Sequence, residues 1–543
     1  MTTFLQRPRG TIRLKTALTI AVIAVGDIAL FQHELFPAGL GFLGLALVGA
    51  LAIGQPSVLR DRRALFALVL AAAYAFAMIY DASLLAFLLF GVALGMALLL
   101  PRTGVFDDGW RWFQRLFAHG FISVFGPVLD AIRISRLGRR RHARSSGWRR
   151  TVQALALPIV GSLVFLWLFA LANPVLDGWI ASLALPEPDE DFIVRMFLWV
   201  VTAWISWGVL RPRMVRLILG TFDGSGDPAL PGFTTASILI SLFAFNAVFL
   251  LQNAMDAAWL WGFVALPDGM TLAEYAHRGA YPLVVTALLT ALFVLVALRP
   301  GSTTAAQPLV RRLVVVWIGQ NLFLVFNAAL RTVDYVEAYS LTVLRISALL
   351  WMVLVAIGLV LVMWRMLAGK SSGWLINTNL AAAGMMLSGV CFVDLGAVAA
   401  QWNVRHAREA GGKGAQLDLC YLTFQDGTSL LPLIELERQK IGGAFAERVN
   451  NARRQVHFRL IDRMNDGGWQ ILDAHRLDKA AELLGGDIGP RPQGRGYNCD
   501  GNELPPEPDH GDGDAAGTAK AVELAPPAFA HAALPTLTQS RER

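Results

Sequence analysis

A chain of 543 residues that is 55% hydrophobic and only 16% charged has too little polar surface to clothe several soluble domains, so a membrane protein is the default. Its net charge of +7 does not argue for nucleic acid, because the basic residues stand beside apolar runs and not together on one soluble face. Three cysteines, Cys391, Cys420 and Cys499, are too few for a disulfide framework and lack the CxxC spacing of zinc or redox sites.

Arg7, Arg9, Arg13 and Lys15 precede the first apolar run, as in a signal peptide. Asp27 interrupts that run, no small-residue cleavage site follows, and further spans come after it, so a retained first helix is predicted. In all, about eleven bilayer-length apolar runs are predicted, at 16–32, 37–54, 64–79, 82–100, 152–172, 192–210, 234–252, 281–298, 313–330, 346–365 and 374–396. Continuous runs without strand alternation specify helices, because hydrocarbon leaves no other partner for the backbone. The expected fold is an all-α polytopic transmembrane bundle occupying 1–400.

Lys and Arg crowd into alternate connections. With the N-terminus inside, about 26 basic residues face inward against about four outside, Arg195, Arg278, Arg331 and Arg345. The acidic connection at 173–191 fits the outside, and an odd number of spans puts the C-terminal segment outside too. In a bacterium that means a multi-pass protein of the inner membrane with a periplasmic C-terminus.

The inward connection 101–150 alternates Trp110, Trp112, Phe113, Leu116, Phe117 and Phe121 with Arg111 and Arg115, and ends in Arg139, Arg140, Arg141 and Arg144. It is expected to lie amphipathically at the cytoplasmic surface against anionic lipid headgroups, as an orienting anchor.

Polar residues inside spans must be paired or face water. Asp27 lies in the first. Asn246, Gln252, Asn253 and Asp256 lie along and just beyond the seventh, and Gln320, Asn321 and Asn327 line the ninth; Asn377 and Asn379 begin the last, with Asp394 near its outer end. Asn246 and Asn253 share one helix face, as do Gln320 and Asn327. Interhelical hydrogen-bonded packing is one account of them, and a solvated pathway or ligand pocket is the other. The outer connections flanking the eighth span add Glu274, Tyr275, His277, Arg278 and Tyr281, then Arg331, Asp334, Tyr335, Glu337, Tyr339 and Arg345. Such groups can bind a charged headgroup, a metabolite or protons, although Glu274 with Arg278 and Arg331 with Asp334 also stand at helical salt-bridge spacing. A lone His without a second ligand argues against metal, and neither a nucleophile elbow nor a phosphate-binding glycine loop is present. No cofactor is expected.

The segment FNAVFLLQNAMDAAWLWGFVALPDGMTLAEYAHRGAYPLVVTALLTALFVLVALRPG, from Phe245 to Gly301, with NLFLVFNAALR, RTVDYVEAYSLTVLRISAL and WNVRHA, resembles the bacterial inner-membrane family called domain of unknown function 4173. LPIVGSLVFLWLFALANPV and the LRP at Leu210–Pro212 extend the resemblance over most of 150–425. It implies a polytopic membrane protein without an assigned activity. Where the resemblance would put Asp followed by Trp near the end of the first helix, this chain has Asp27–Ile28.

Beyond Trp402 about 17 basic and 20 acidic residues give a soluble balance. A small soluble helical domain is expected over 401–486. Its helices are placed at 429–440, along the stripe Phe445, Val449, Ala452, Val456, Leu460 and Met464, and near 468–484. The composition from 487 to 543 predicts a disordered tail. An outside C-terminus makes a Cys420–Cys499 disulfide chemically permissible.

Two functional classes follow. One is a transporter, flippase or small-molecule channel with its polar site on the outer side of helices seven to ten. The other is a non-enzymatic sensor, scaffold or envelope-assembly protein that binds a partner through its outer loops and C-terminal domain. A membrane enzyme ranks third, with Asp334, Glu337 and His277 as its only acid/base set. FNAVFLLQN and QNLFLVFN form a faint internal echo of the kind transporters carry.

Overall fold

The computed structural model describes residues 8–32, 36–103, 106–141, 190–212, 234–260, 272–299, 301–439 and 441–492, with a few positions between 155 and 166; over 8–11, 131–141, 259–260 and 272–284, and at 32, 129 and 190, it describes the backbone alone. Every regular element among these residues is helical. Seven helices are long and apolar enough to cross a membrane, or eight if one bent pair counts as a span. The second expected span is a helix of 17 residues, Ala38–Gly54, the eighth lies within a longer helix, Leu272–Ala297, and the expected span at 152–172 lies outside the described residues.

The first bundle contains α1 (Pro8–Asp27), α2 (Ala38–Gly54), α3 (Arg62–Tyr80), α4 (Leu84–Thr103) and, after the long amphipathic α5 (Gly109–Arg141), α6 (Glu190–Leu210). Small residues set its spacing. Ala64, Ala67, Ala71 and Ala75 make a buried stripe along α3, and Gly41 and Gly44 of α2 lie against it. Lipid supplies no hydrophobic drive between helices, so close backbone approach and packing hold such a pair. A Cβ at Gly41 would fall 2.5 Å from Ile79 Cγ1 and 2.6 Å from the Ala75 carbonyl oxygen. Gly41→Ala is therefore expected to push α2 off α3 at about 1–3 kcal/mol, read as a lower unfolding midpoint in detergent.

One end of this bundle is basic. The C-terminal carbonyls of α6 accept from Lys15 Nζ (Leu210, 2.6 Å) and Gln55 Nε2 (Val209, 3.2 Å), and Pro212 accepts from Arg102 Nη1 (2.6 Å). Cations there both satisfy orphan carbonyls and oppose the helix dipole. Arg211 pairs with Asp130 of α5 at 3.1 Å. At the far end Asp27 takes a two-pronged contact from Arg195, 2.5 Å on each side, and a third from Trp199 Nε1 at 2.8 Å. The sole intramembrane acid of α1 is thus neutralised across α6.

In α5, Phe113, Phe117, Phe121 and Phe125 recur every four residues and are all exposed. The other side packs on α6, where Trp204 Nε1 donates to the Val124 carbonyl and Ser123 fits beside Gly208.

The second bundle is α7 (Thr235–Leu260), α8 (Leu272–Ala297), α9 (Pro308–Tyr339), α10 (Val343–Ala368) and α11 (Ser372–Val390). Two expectations are corrected here. The RTVDYVEAY stretch is not a loop but the last turns of α9, and the turn is confined to Ser340–Thr342. The expected eleventh span breaks at Cys391, because Asp394 caps a new helix, α12 (Leu395–His406), by accepting from Ala397 N at 2.9 Å; the two helices meet at 65°.

After α12 come α13 (Leu430–Arg438), α14 (Gly443–Asn465) and α15 (Ile471–Leu484). Val449, Ala452, Val456 and Leu460 turn one face of α14 into a core with Leu422, Leu430, Leu433, Ile434 and Leu436. Val404 and Ala400 of α12 join that core, so it continues directly from the membrane helices. Cys391 is a buried free thiol and Cys420 is disulfide-bonded; Cys499, and the tail from 493 onward, lie outside the described residues.

Candidate functional site

The amides of α7 and α9 face one another. Asn246 Nδ2 donates to the Leu242 and Leu313 carbonyls (2.7 and 3.2 Å), leaving its oxygen to accept from Gln320 Nε2 at 3.0 Å. One α-helical step of seven residues along, Asn253 Nδ2 donates to the Gln320 carbonyl at 3.1 Å. Three residues further, Asp256 accepts from Arg331 Nη2 at 2.7 Å and from Gln252 Nε2 at 3.0 Å. Partners rise together along both helices, so α7 and α9 run parallel and a single polar seam climbs between them. The side chains of Asp256 and Arg331 are 4% and 7% exposed, a desolvated ion pair.

The two short runs that echo each other in sequence, FNAVFLLQN and QNLFLVFN, are thus the two walls of one interface. Thr290 of α8 extends the polar contacts sideways by donating to Asn321 Oδ1 at 3.1 Å. Asn327 is completely buried on the same face of α9 as Gln320 and Arg331, and neither polar atom of its amide has a hydrogen-bond partner; the same holds for Asn253 Oδ1 and Gln320 Oε1. Buried polar atoms of this kind are rare and mark special sites.

Several expected members do not join the seam. Arg331 does not pair with Asp334 along its own helix; it turns across to Asp256, while Asp334 and Glu337 are exposed. Arg345 stacks over the Tyr335 ring at 4.1 Å and donates to the Tyr339 and Ser340 carbonyls, closing the α9–α10 turn. Glu274, Tyr275, His277, Arg278 and Tyr281 sit on the first turns of α8, and their side chains lie outside the described residues. Among the described residues no three His, Cys, Asp or Glu side chains are grouped so as to hold a metal ion.

A second cluster was not anticipated. Asn403 of α12 grips Leu341 twice, accepting from its N–H at 2.6 Å and donating to its carbonyl at 2.8 Å, and the Tyr421 hydroxyl accepts from Val343 N at 2.9 Å. The turn thus held includes Ser340 at φ 72°, a left-handed conformation that a non-glycine residue adopts only when its surroundings enforce it. Asn403 stands in WNVRHA, whose polar positions on a short helix gave no hint of a partner 62 residues away.

Beyond it, Arg476 bridges Asp394 and Asp473 (2.5 Å to the latter), and Arg463 bridges Asp473 (2.6 Å) and Asp426 (3.3 Å). Gln470 accepts from Ala82 N at 3.4 Å, bringing the first bundle to the same place. Burial pushes the Asp81 carboxyl up, with Asp394 and Asp473 adding to the shift and Arg476 opposing it.

His457, buried in α14 with Nδ1 unpartnered, has its pKa lowered by burial and then by Arg453. The folded chain resists a proton that the unfolded chain accepts below about pH 6.5, so its contribution is complete above that pH and lost progressively on acidification. Asp81 acts in the opposite sense: its raised pKa makes protonation favour the folded state, at lower pH. His457→Gln is expected to flatten the fall in unfolding midpoint between roughly pH 6.5 and 5, measured by thermal melts across that range.

A family model, Domain of unknown function (DUF4153), matches residues 64–436. The match falls on a different family of unknown function from the one suggested by Phe245–Gly301. No curated protein and no solved structure matches the chain.

Proposed function

Because the chain belongs to the DUF4153 family, whose description assigns no activity, we propose its role from its own chemistry: a bacterial inner-membrane protein that binds and passes a small polar molecule along the α7–α9 seam. The Lys15 end, with Arg102 and Arg211, is cytoplasmic by the positive-inside rule. The Asp81 end, where Arg331 and the C-terminal helices gather, is periplasmic. The exposed phenylalanines of α5 then sit at the cytoplasmic acyl boundary, with the basic residues that follow them facing anionic headgroups.

The observation that carries this reading is the Asp256–Arg331 ion pair, buried at the top of an amide ladder inside the membrane region. Ionisable groups are costly there, and packing alone is served as well by apolar residues. The test is metabolite and lipid profiling of a deletion strain carrying either the wild-type chain or the Asp256→Leu/Arg331→Leu double variant. The double variant is expected to insert and fold but to leave the altered profile uncorrected; full correction would make the pair structural.

A second reading, a scaffold or sensor acting through the C-terminal helices, is favoured by the Asn403 and Tyr421 contacts, which tie those helices to the end of α9. Partners that co-purify with the full chain and are lost when 402–486 are removed from an inserted protein would support it.

A further inference from the structure

The rungs Asn246–Gln320 and Asp256–Arg331 join residues 74 and 75 apart. The same offset sets Asn253 level with Asn327, between the rungs, on facing sides of α7 and α9. At that level Asn253 Oδ1 and both polar atoms of Asn327 lack partners, in residues 5% (Asn253) and 0% (Asn327) exposed, and Gln320 Oε1 lacks one at the neighbouring Asn246 rung.

The orientations of two of these amides do not rest on an arbitrary choice of O and N. Asn253 gives its nitrogen to a backbone carbonyl, which cannot donate in return. Asn246 gives its nitrogen to two carbonyls, so its oxygen must accept, Gln320 must donate to it, and Gln320 Oε1 is left over. The level therefore presents two acceptors, Asn253 Oδ1 and Asn327 Oδ1, and one amide donor group. An occupant must both donate and accept, and a cation is disfavoured: the adjacent Asp256–Arg331 pair is already neutral, and a further buried charge would be uncompensated.

We propose that this level is a binding site for small neutral hydroxyl groups, held by water at rest and by a hydroxyl of a small solute in its place. The proposal rests on the seam being the functional site. A water bridging Asn253 Oδ1 and Asn327 would have the usual three or so partners of a buried water. It would also make the seam continuous from Asn246 to Arg331.

The experiment places a thiol in the layer. Asn327→Cys and, as a control from a fully buried apolar position of the same helix, Ile318→Cys are made in a Cys391→Ala background and treated in vesicles with hydroxyethyl methanethiosulfonate, which needs a hydrated thiolate. Asn327→Cys is expected to react at least tenfold faster than Ile318→Cys; equal rates would overturn the site. Glycerol, added before the reagent, separates the occupants. Slowed labelling supports solute hydroxyls in the layer. Labelling untouched by glycerol keeps the water site and overturns its use by hydroxylated solutes.

Should the cysteine variants fail to fold, Asn327→Leu decides by sign. An occupied layer loses its bridge and the unfolding midpoint falls, whereas a dry layer is relieved of an unsatisfied amide and the midpoint rises. Failure here would leave the profile defect of the Asp256→Leu/Arg331→Leu variant standing, so the two proposals fail separately.

Discussion

Arg331→Ala is expected to cost about 3–5 kcal/mol, since it removes the guanidinium that neutralises the Asp256 carboxylate in a site 4% exposed. Asp256→Ala should cost a similar amount by removing the carboxylate that neutralises the buried guanidinium. The informative variant is the double one. Once both charges are replaced by leucine, the desolvation penalty disappears with the attraction, and the melting midpoint in detergent should return to within about 1–2 kcal/mol of wild type or exceed it. Stability restored without restoration of the metabolite profile would assign the pair to function. Two single variants with wild-type midpoints would show that water reaches the pair and screens it.

Arg476→Ala is the second large effect. Among the described residues Arg476 is the cation that joins Asp394, the cap of α12, to Asp473, which is 2% exposed and also pairs with Arg463. Its loss brings two carboxylates together near Asp81, whose own proton affinity is already raised by burial and by those same neighbours. A cost of about 3–5 kcal/mol is expected in the melting of the C-terminal helices, with partial recovery on acidification as the acids take up protons. Protease nicking between α12 and α15 under native conditions is a direct readout. A nicking rate equal to that of the wild-type chain would mean that the apolar core of α14 holds the layer by itself.

The two effects are joined by geometry. The C-terminal helices hold the α9–α10 turn through Asn403 and Tyr421, and α9 carries Gln320, Asn327 and Arg331. A change at the cap therefore has a rigid route to the seam, as a movement of the end of α9.

Helical type was written in the composition, because hydrocarbon admits no other way for a continuous apolar run to satisfy its backbone. The amide faces were legible as well: seven-residue spacing put Asn246 with Asn253 and Gln320 with Asn327 before any partner was known. The α14 stripe was readable for the same reason. Span count was less accessible. Ala38–Gly54 and the broken Ser372–Val390/Leu395–His406 pair show why, since hydropathy averages over a window and does not register a cap such as Asp394.

Pairing across the chain was decided by tertiary structure alone. Arg331 had a plausible neighbour in Asp334, four-fifths of a turn away, and chose Asp256 across the interface, because only there does the guanidinium leave lipid and find a buried countercharge. Asn403 and Arg476 looked like ordinary polar residues on short helices. Their roles exist only once α12 folds back under α9 and α15 reaches Asp394, which brings residues 62 and 82 positions apart into contact. Periodicity along one helix is a local property and survives in the sequence; which helix lies opposite is settled by packing, and the sequence by itself carries no coordinate for it.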